Sequence, residues 1–134
     1  MSTVKLWTDE EAAADPVVAR VFADIQATRK SDFVNSFWRG LANHPALLEA
    51  TWSRLKTVMS GDTLLGPVVQ EMIYIAVSTA NGCGYCVHSH TAAARAKGMT
   101  EEQHAELLAI IGLAAQTNHL VTAMQIPPDE AFMA

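Results

Sequence analysis

Basic residues are scarce in this chain of 134 amino acids, which has nine Lys and Arg against 14 Asp and Glu and a formal net charge of −5 at pH 7. Surfaces that bind nucleic acid or anionic membranes need clustered Lys and Arg to replace the counterions that are released on binding. The composition therefore argues against both classes of partner. Small molecules and other proteins are the partners that it allows.

Long hydrophobic runs are also missing. The longest apolar run, counting Gly, is LLAIIGLAA at 107–115, which is much shorter than the ~20 residues that a membrane span needs. The first residues, MSTVKLWTDEE, are acidic, and they have neither the basic start nor the apolar stretch of a signal peptide. We expect a soluble, cytoplasmic protein that has no membrane partner.

The pattern of β-strands is absent as well, since no segment sustains an alternation of apolar and polar residues between hairpin turns. Nearly every segment instead repeats its apolar residues at i, i+3, i+4 and i+7, which is typical of amphipathic helices. A chain of this length is ordinarily one domain. We predict an all-α fold, a single-domain bundle of about six helices spanning residues 1–134.

Proline, glycine and capping residues give the expected helix boundaries. Thr100 and Gln103 have the spacing of a capping box, and the pair Asn81-Gly82 suits the left-handed conformation that ends helices. The acidic stretch EEAAAD at 10–15 is interpreted as a solvated helix start. The first of six predicted helices starts at Asp15-Pro16. In chain order, the other five run from about Phe33 to Asn43-His44, from Pro45 to Gly61, from Pro67 to Asn81-Gly82, from the cysteines to Gly98, and from Thr100 towards Ile126.

Only two cysteines are present, and both lie in the segment NGCGYCVHSH at 81–90. Two cysteines placed at random in a chain of this length would fall three positions apart in only about 1 or 2 % of cases, so the spacing points to a function. A static disulfide is not expected in a reducing cytosol. A reactive dithiol and a metal site are the two interpretations that the spacing leaves open.

Helix geometry brings a carboxylate and an imidazole towards the cysteines. If Gly82 turns the chain between two antiparallel helices, Glu71 and His90 each lie about 12–15 Å from the turn and can face each other. Cys83, Cys86 and His90 follow one another along one face of the second helix. A helix N-terminus and a neighbouring imidazole both favour the thiolate form of a cysteine. With a carboxylate that orients the imidazole, the thiol, the imidazole and the carboxylate form a set of nucleophile, base and orienting group.

The same four residues carry a resemblance to a known family. Glu71, Cys83, Cys86 and His90 are similar in type and spacing to the signature Glu-x11-Cys-x-x-Cys-x3-His of the alkylhydroperoxidase D-like branch of the carboxymuconolactone decarboxylase family. The resemblance is most specific over residues 67–98. Tyr85 occupies the position next to the second cysteine where some members have a His, and members that act as decarboxylases generally lack the cysteine pair. The resemblance implies an all-helical fold, homo-oligomers, and reduction of peroxides or of a partner's disulfide.

From these residues together with what the resemblance implies, we predict a thiol-dependent peroxidase. Cys86 attacks a hydroperoxide, and Cys83 resolves the resulting sulfenic acid to a disulfide, while Glu71 and His90 relay the proton. Cys86 is assigned as the nucleophile because it lies closer to His90, although the helix dipole alone favours Cys83. A thiol or protein electron donor must then reduce the pair. We expect no cofactor and no metal.

Two alternatives stay open at this point. A dithiol adaptor would reduce a peroxiredoxin or lipoyl partner instead of peroxide. A non-catalytic zinc-binding interaction domain belongs to another class, but Cys83, Cys86 and His90 leave the fourth zinc ligand unsupplied, and His88 points away round the helix. Half of the residues are apolar, which in a short helical chain also predicts a homo-oligomer.

Overall fold

The structure, a computed structural model, describes residues 1–133, and its regular elements in that range are all helical. The predicted all-α fold is confirmed, with one α-helix more than the six expected. In chain order the elements are α1 (Asp9–Ala14), α2 (Pro16–Arg29), α3 (Ser36–Leu41), α4 (Pro45–Met59), α5 (Pro67–Ala80), α6 (Gly84–Ala96), α7 (Glu101–Met124) and a 3-10 helix at Glu130–Phe132.

The additional helix is α1, where the sequence predicts only a solvated helix start. Thr8 and Glu11 form a capping box, because the Thr8 hydroxyl accepts from the Glu11 N–H at 3.2 Å and the Glu11 carboxylate accepts from the Thr8 N–H at 3.0 Å. The next residue after α1 is Asp15, whose carboxylate accepts from the N–H groups of Val17 and Val18. Asp15 therefore separates two helices, and α2 starts at Pro16 as predicted.

Contacts within the chain define two compact units, Met1–Thr63 and the chain from Leu64 onward. The single domain over 1–134 stays a prediction. In the first unit, Asp24 of α2 accepts from the Trp52 indole N–H at 2.7 Å and from the Lys56 ammonium at 2.8 Å, which joins α2 to α4. The buried apolar core of this unit consists of Ala12, Val18, Val21, Phe22, Ile25, Val34, Trp38, Ala42, Leu48 and Trp52.

The second predicted helix is shorter in the structure. Its N-cap is Asn35, which has an extended backbone, so that Phe33 lies before α3 instead of on its apolar face. Phe33 is 69 % exposed, whereas Trp38 is 1 % exposed. The assignment of Phe33 to the helix is therefore wrong, and Val34 is the buried residue at this point of the chain.

The second unit is built on α5 and α6, which pack along each other, and α7 packs on α5. The turn between α5 and α6 is a Schellman motif, because the Gly82 N–H donates to the Thr79 carbonyl at 3.1 Å and the Cys83 N–H donates to the Ser78 carbonyl at 2.9 Å. Gly82 has a φ of 68°, the left-handed conformation expected for it. The buried apolar core of this unit consists of Ile75, Ala94, Met99 and Leu107.

The last long helix, α7, begins with the predicted capping box of Thr100 and Gln103. From Leu107 to Met124 the helix has no Asp, Glu, Lys or Arg. It is long and apolar enough to cross a membrane by length and composition alone, with a mean hydropathy of 1.4. The uncharged segment is longer than the apolar run at 107–115, because the neutral residues that follow this run extend the segment to the end of the helix.

Candidate active site

The cysteine pair lies at the start of α6. Cys83 is the N-cap residue and Cys86 lies in the first turn, and the two are joined by a disulfide with a Cα–Cα distance of 5.3 Å. The Cys83 sulfur also accepts from the Cys86 backbone N–H at 3.3 Å. The backbone therefore places one sulfur directly at the helix N-terminus, where unpaired N–H groups favour negative charge.

A buried carboxylate of α5 holds the imidazole of α6. Glu71 is only 4 % exposed, and its Oε2 lies 2.6 Å from Nδ1 of His90. When Nδ1–H donates to this carboxylate, the neutral imidazole keeps its lone pair on Nε2. His90 follows Cys86 by four residues on α6, so this geometry places a proton acceptor one helical turn from the second cysteine and on the same helix face.

Lys97 is a further partner of Glu71 that the sequence motif does not contain. The Lys97 ammonium donates to Glu71 Oε1 at 2.6 Å, while His90 occupies Oε2. Lys97 follows His90 by seven residues, which corresponds to two helical turns and to the same helix face. The spacing of seven residues is visible in the sequence, but many exposed lysines have such a spacing from a histidine. Only the packing of α5 on α6 shows that Lys97 reaches Glu71.

The environment of the Glu71 carboxyl group acts on its pKa in two directions. Burial raises the pKa, because the charged form loses its hydration. Hydrogen bonds from His90 and Lys97, together with their charges, lower it, and the net pKa lies below the ordinary value of 4.5. Glu71 is therefore ionised at neutral pH despite its burial.

Tyr74 is the second residue at the site that lies outside the sequence motif. Its ring stacks on the His90 imidazole with a centroid distance of 3.6 Å and an interplanar angle of 19°. Tyr74 follows Glu71 by three residues on α5, so that one helix supplies both the hydrogen bond at the edge of the imidazole and the contact on its face. An aromatic face also attracts a cationic imidazolium.

The other residues considered from the sequence take less defined positions. His88 and Tyr85 are both exposed on α6. His44 is the N-cap residue of α4 and makes no side-chain capping hydrogen bond. Within residues 1–133, no three His, Cys, Asp or Glu side chains are grouped so that they could hold a metal ion. The predicted residues that the structure brings together are Glu71 with His90 and Cys83 with Cys86.

Comparisons with known proteins give a family and several similar proteins for this chain. The model of the carboxymuconolactone decarboxylase family matches residues 45–127, which include the cysteines, Glu71, Tyr74 and His90. A curated protein named alkyl hydroperoxide reductase AhpD, from Mycobacteroides abscessus, is 33 % identical over 110 residues, which cover 79 % of this chain and 61 % of that protein. A protein of the same name from Solibacter usitatus is 38 % identical over 63 residues, which cover 47 % of this chain and 34 % of that protein. The chain thus spans less than two thirds of both relatives.

A solved structure matches the whole chain. The crystal structure described as the alkylhydroperoxidase AhpD core from Rhodospirillum rubrum is 69 % identical in sequence and superimposes with a TM-score of 0.98. The match covers 100 % of this chain and 98 % of that one. At this identity the likeness extends to the sequence as well as to the helical fold.

Proposed function

Because the chain belongs to the carboxymuconolactone decarboxylase family, we propose that it is a thiol-dependent peroxidase that cycles Cys83 and Cys86 between the dithiol and the disulfide. The relatives named alkyl hydroperoxide reductase support a peroxide-reducing oxidoreductase. The observation that carries the proposal is the position of the disulfide, within about one helical turn of an imidazole that a buried carboxylate holds.

In the proposed first step, the Cys86 thiolate attacks the outer oxygen of a hydroperoxide and the O–O bond breaks. Cys86 becomes a sulfenic acid, and the leaving oxygen takes a proton to form an alcohol, or water when the substrate is hydrogen peroxide. The Cys83 thiol then attacks the sulfenic sulfur, which forms the disulfide and releases one molecule of water. A reductant must finally supply two electrons and two protons to restore both thiols.

The roles of the site residues follow from proton transfer. His90 takes the proton of the Cys86 thiol through Nε2, since Nδ1 is engaged by Glu71. Glu71 orients the imidazole and stabilises the imidazolium that forms, as the third member of such a set does. The contact of the Cys83 sulfur with the Cys86 N–H suits Cys83 to be the leaving thiolate when the disulfide is reduced.

The proposed partners are a small hydroperoxide and a thiol or protein electron donor, with no nucleic acid and no cofactor. A dithiol adaptor that reduces a protein disulfide or a lipoyl group is the second candidate. It is favoured by the partial exposure of both cysteines and the exposure of Tyr85 between them, because a protein partner must reach the sulfur atoms. Both candidates use the same redox pair and differ in what oxidises it.

We also propose that the protein is a cytoplasmic homo-oligomer in which α7 meets a second copy. Six large apolar side chains of α7 are exposed: Leu108, Ile110, Leu113, Leu120, Val121 and Met124. The stretch QTNH at 116–119 lies within the same uncharged helix. Polar side chains of this kind are costly in lipid unless they are paired, so the helix suits the face of another protein chain better than a bilayer.

The proposed function is tested by peroxide consumption with the reduced protein. We expect consumption of an organic hydroperoxide with dithiothreitol, dihydrolipoamide or a thioredoxin as the donor, and mass spectrometry should show two hydrogens fewer after one equivalent of peroxide. Cys83→Ser should trap a sulfenic acid on Cys86. Disulfide reduction without peroxide consumption would favour the adaptor, and one tightly bound zinc per chain would favour a zinc-binding domain.

A further inference from the structure

Both oxygens of the Glu71 carboxylate are occupied by side chains of the same helix. Oε2 lies 2.6 Å from His90 Nδ1, and Oε1 lies 2.6 Å from the Lys97 ammonium. The two partners stand two turns apart on α6, and Glu71 reaches between them from α5. A carboxylate that is held at both oxygens has a fixed plane, so the direction in which it presents Oε2 to His90 is fixed as well.

The two partners differ in what happens to their charge during the proposed cycle. His90 gains a proton when Cys86 is activated and loses it again, whereas an alkylammonium stays charged throughout the neutral pH range. Without Lys97, a neutral His90 would leave the buried Glu71 carboxylate with no opposite charge, which is a costly arrangement. Glu71 would then compete with the substrate for the proton that His90 carries.

We propose that Lys97 is a positioning residue that keeps Glu71 ionised and fixed in orientation while His90 exchanges its proton. Glu71 then acts as an anchor for the imidazole and not as a second proton acceptor. This role rests on the proposed peroxidase function, because it concerns the same proton transfer. It goes beyond the four residues of the motif, to which Lys97 does not belong.

The position of Lys97 is specific. Its side chain is 33 % exposed, and it is the C-cap residue of α6, where the helix dipole favours a cation. The neighbouring cation Arg95, two residues earlier on the same helix, forms an ion pair with Glu101 instead. The last turn of α6 therefore holds two cations with different partners, and one of them reaches the site.

The groups that act on Glu71 are few. His90 and Lys97 of α6 are the hydrogen-bonding and charged partners of its carboxyl group, and both lower its pKa against the effect of burial. On α5 itself, the Tyr74 ring stacks on the His90 imidazole. In the part of α7 that the structure describes, no titratable residue is among the groups that shift the pKa of Glu71.

The direct test is a titration of the Glu71 carboxyl carbon by NMR, with ¹³C-labelled glutamate and the signal assigned by its loss in Glu71→Gln. In Lys97→Met we expect the midpoint to move up by about one pH unit, which corresponds to ~1.4 kcal/mol. Lys97→Arg keeps the charge and should keep the midpoint low. Arg95→Met removes a cation from the same helical turn and should leave it unchanged.

If Lys97→Met folds poorly, the pH dependence of the peroxidase rate provides a second measurement. It uses Lys97→Gln, which keeps a hydrogen-bond donor but removes the charge. The acid limb of the peroxidase rate profile should move to higher pH in Lys97→Gln and stay in place in Lys97→Arg. An unchanged Glu71 midpoint in Lys97→Met, or an Arg variant that behaves like the neutral ones, would overturn the role of Lys97. A wild-type protein that consumes no peroxide would refute the proposed function, and the NMR titration would still decide whether Lys97 holds Glu71 ionised.

Discussion

At the scale of single residues, Glu71 links the stability of the second unit to pH. Its carboxyl group is buried and accepts two hydrogen bonds at 2.6 Å from α6. Its pKa in the folded protein lies below 4.5, so the folded state releases the proton more readily than the unfolded state does. Ionised Glu71 therefore stabilises the fold above about pH 4.5, and this contribution is lost as pH falls through the lowered folded pKa.

Glu71→Gln should remove this contribution. We expect the substitution to lower the free energy of unfolding by about 2 kcal/mol at pH 7, because hydrogen bonds to charged groups are lost. The difference from wild type should shrink as pH falls below 4.5 and disappear below the folded pKa. Urea unfolding followed by circular dichroism, with both proteins in the same redox state, measures it. A difference that is independent of pH would contradict the ionised Glu71.

Tyr74 offers a second test at the residue scale. Aromatic stacking contributes about 0.5–1.5 kcal/mol, so Tyr74→Leu should reduce kcat/KM for peroxide by roughly two- to tenfold through a less ordered imidazole. Tyr74→Phe keeps the ring and serves as the matched control. If Phe and Leu reduce the rate equally, the hydroxyl and not the stacking on His90 is the important feature.

At the scale of the helices and turns, the position of the cysteines depends on the turn after α5. Gly82 has a φ of 68°, which L-residues with a Cβ adopt at a cost, and an added Cβ would meet no heavy atom within 4 Å. The cost of a substitution there is therefore conformational and not steric. The following residue is Cys83, whose N–H closes the Schellman turn, so strain at Gly82 acts on the N-cap of α6.

Gly82→Ala should accordingly destabilise the protein by about 1 kcal/mol. The matched control is Gly84→Ala at the start of α6, where an added Cβ also meets nothing within 4 Å and the backbone φ is not positive. Alanine favours helices over glycine by up to about 1 kcal/mol, so Gly84→Ala should be neutral or stabilising. Thermal unfolding compares the two, and equal losses would show that the left-handed conformation is not the cause.

The helix boundaries were largely predictable because they depend on local chemistry. Pro16, Pro45 and Pro67 begin helices, Gly82 ends one, and Thr100 caps another, as expected. The pairing of Glu71 with His90 was also predictable, because it follows from the distances of both residues from the turn. Lys97 and Tyr74 were not, because their contacts depend on the rotation of α5 and α6 about their axes, which local sequence does not determine.

Helix α1 was missed for a different reason. Its six residues, Asp9–Ala14, are too few to show a helical repeat, and the helix is defined by the capping box at Thr8 and by the burial of Ala12 in the core of the first unit. Short helices of this kind are stabilised by caps and packing more than by propensity. The sequence shows the capping residues Thr8 and Glu11, but it does not show that Ala12 is packed in the core.

At the scale of the whole molecule, α7 is the helix whose surface is left largely exposed by the described part of the chain. Between residues 107 and 124 it has no formal charge, and within the described part of the chain most of its side chains are exposed, with Leu107 the buried one. Exposed apolar area of this extent is typical of interfaces between proteins. If the chain forms the predicted homo-oligomer, we therefore expect α7 to lie in the interface between the copies.

Replacing apolar residues of α7 by charged ones should separate the copies. We expect Leu113→Glu combined with Leu120→Glu to reduce the mass measured by light scattering to that of a smaller species, because two carboxylates would be buried without partners at the interface. Leu64→Glu makes the same replacement at a loop residue that is 107 % exposed, and it should leave the mass unchanged. A wild-type monomer at micromolar concentration, or binding of the protein to neutral lipid vesicles, would contradict the proposed second copy.

The short distance in sequence between the two cysteines determines how much the stability of the chain depends on their disulfide. Cys83 and Cys86 are separated by three positions, and a loop this short restricts the unfolded chain by only about 2 kcal/mol in the entropy model, compared with more than twice that for a loop of 100 residues. Most of the fold's stability is therefore independent of the state of this bond. Both sulfur atoms lie at the N-terminal end of one helix, Cys83 as the N-cap residue and Cys86 in the first turn, so we expect that opening and closing this bond requires no refolding of the rest of the chain.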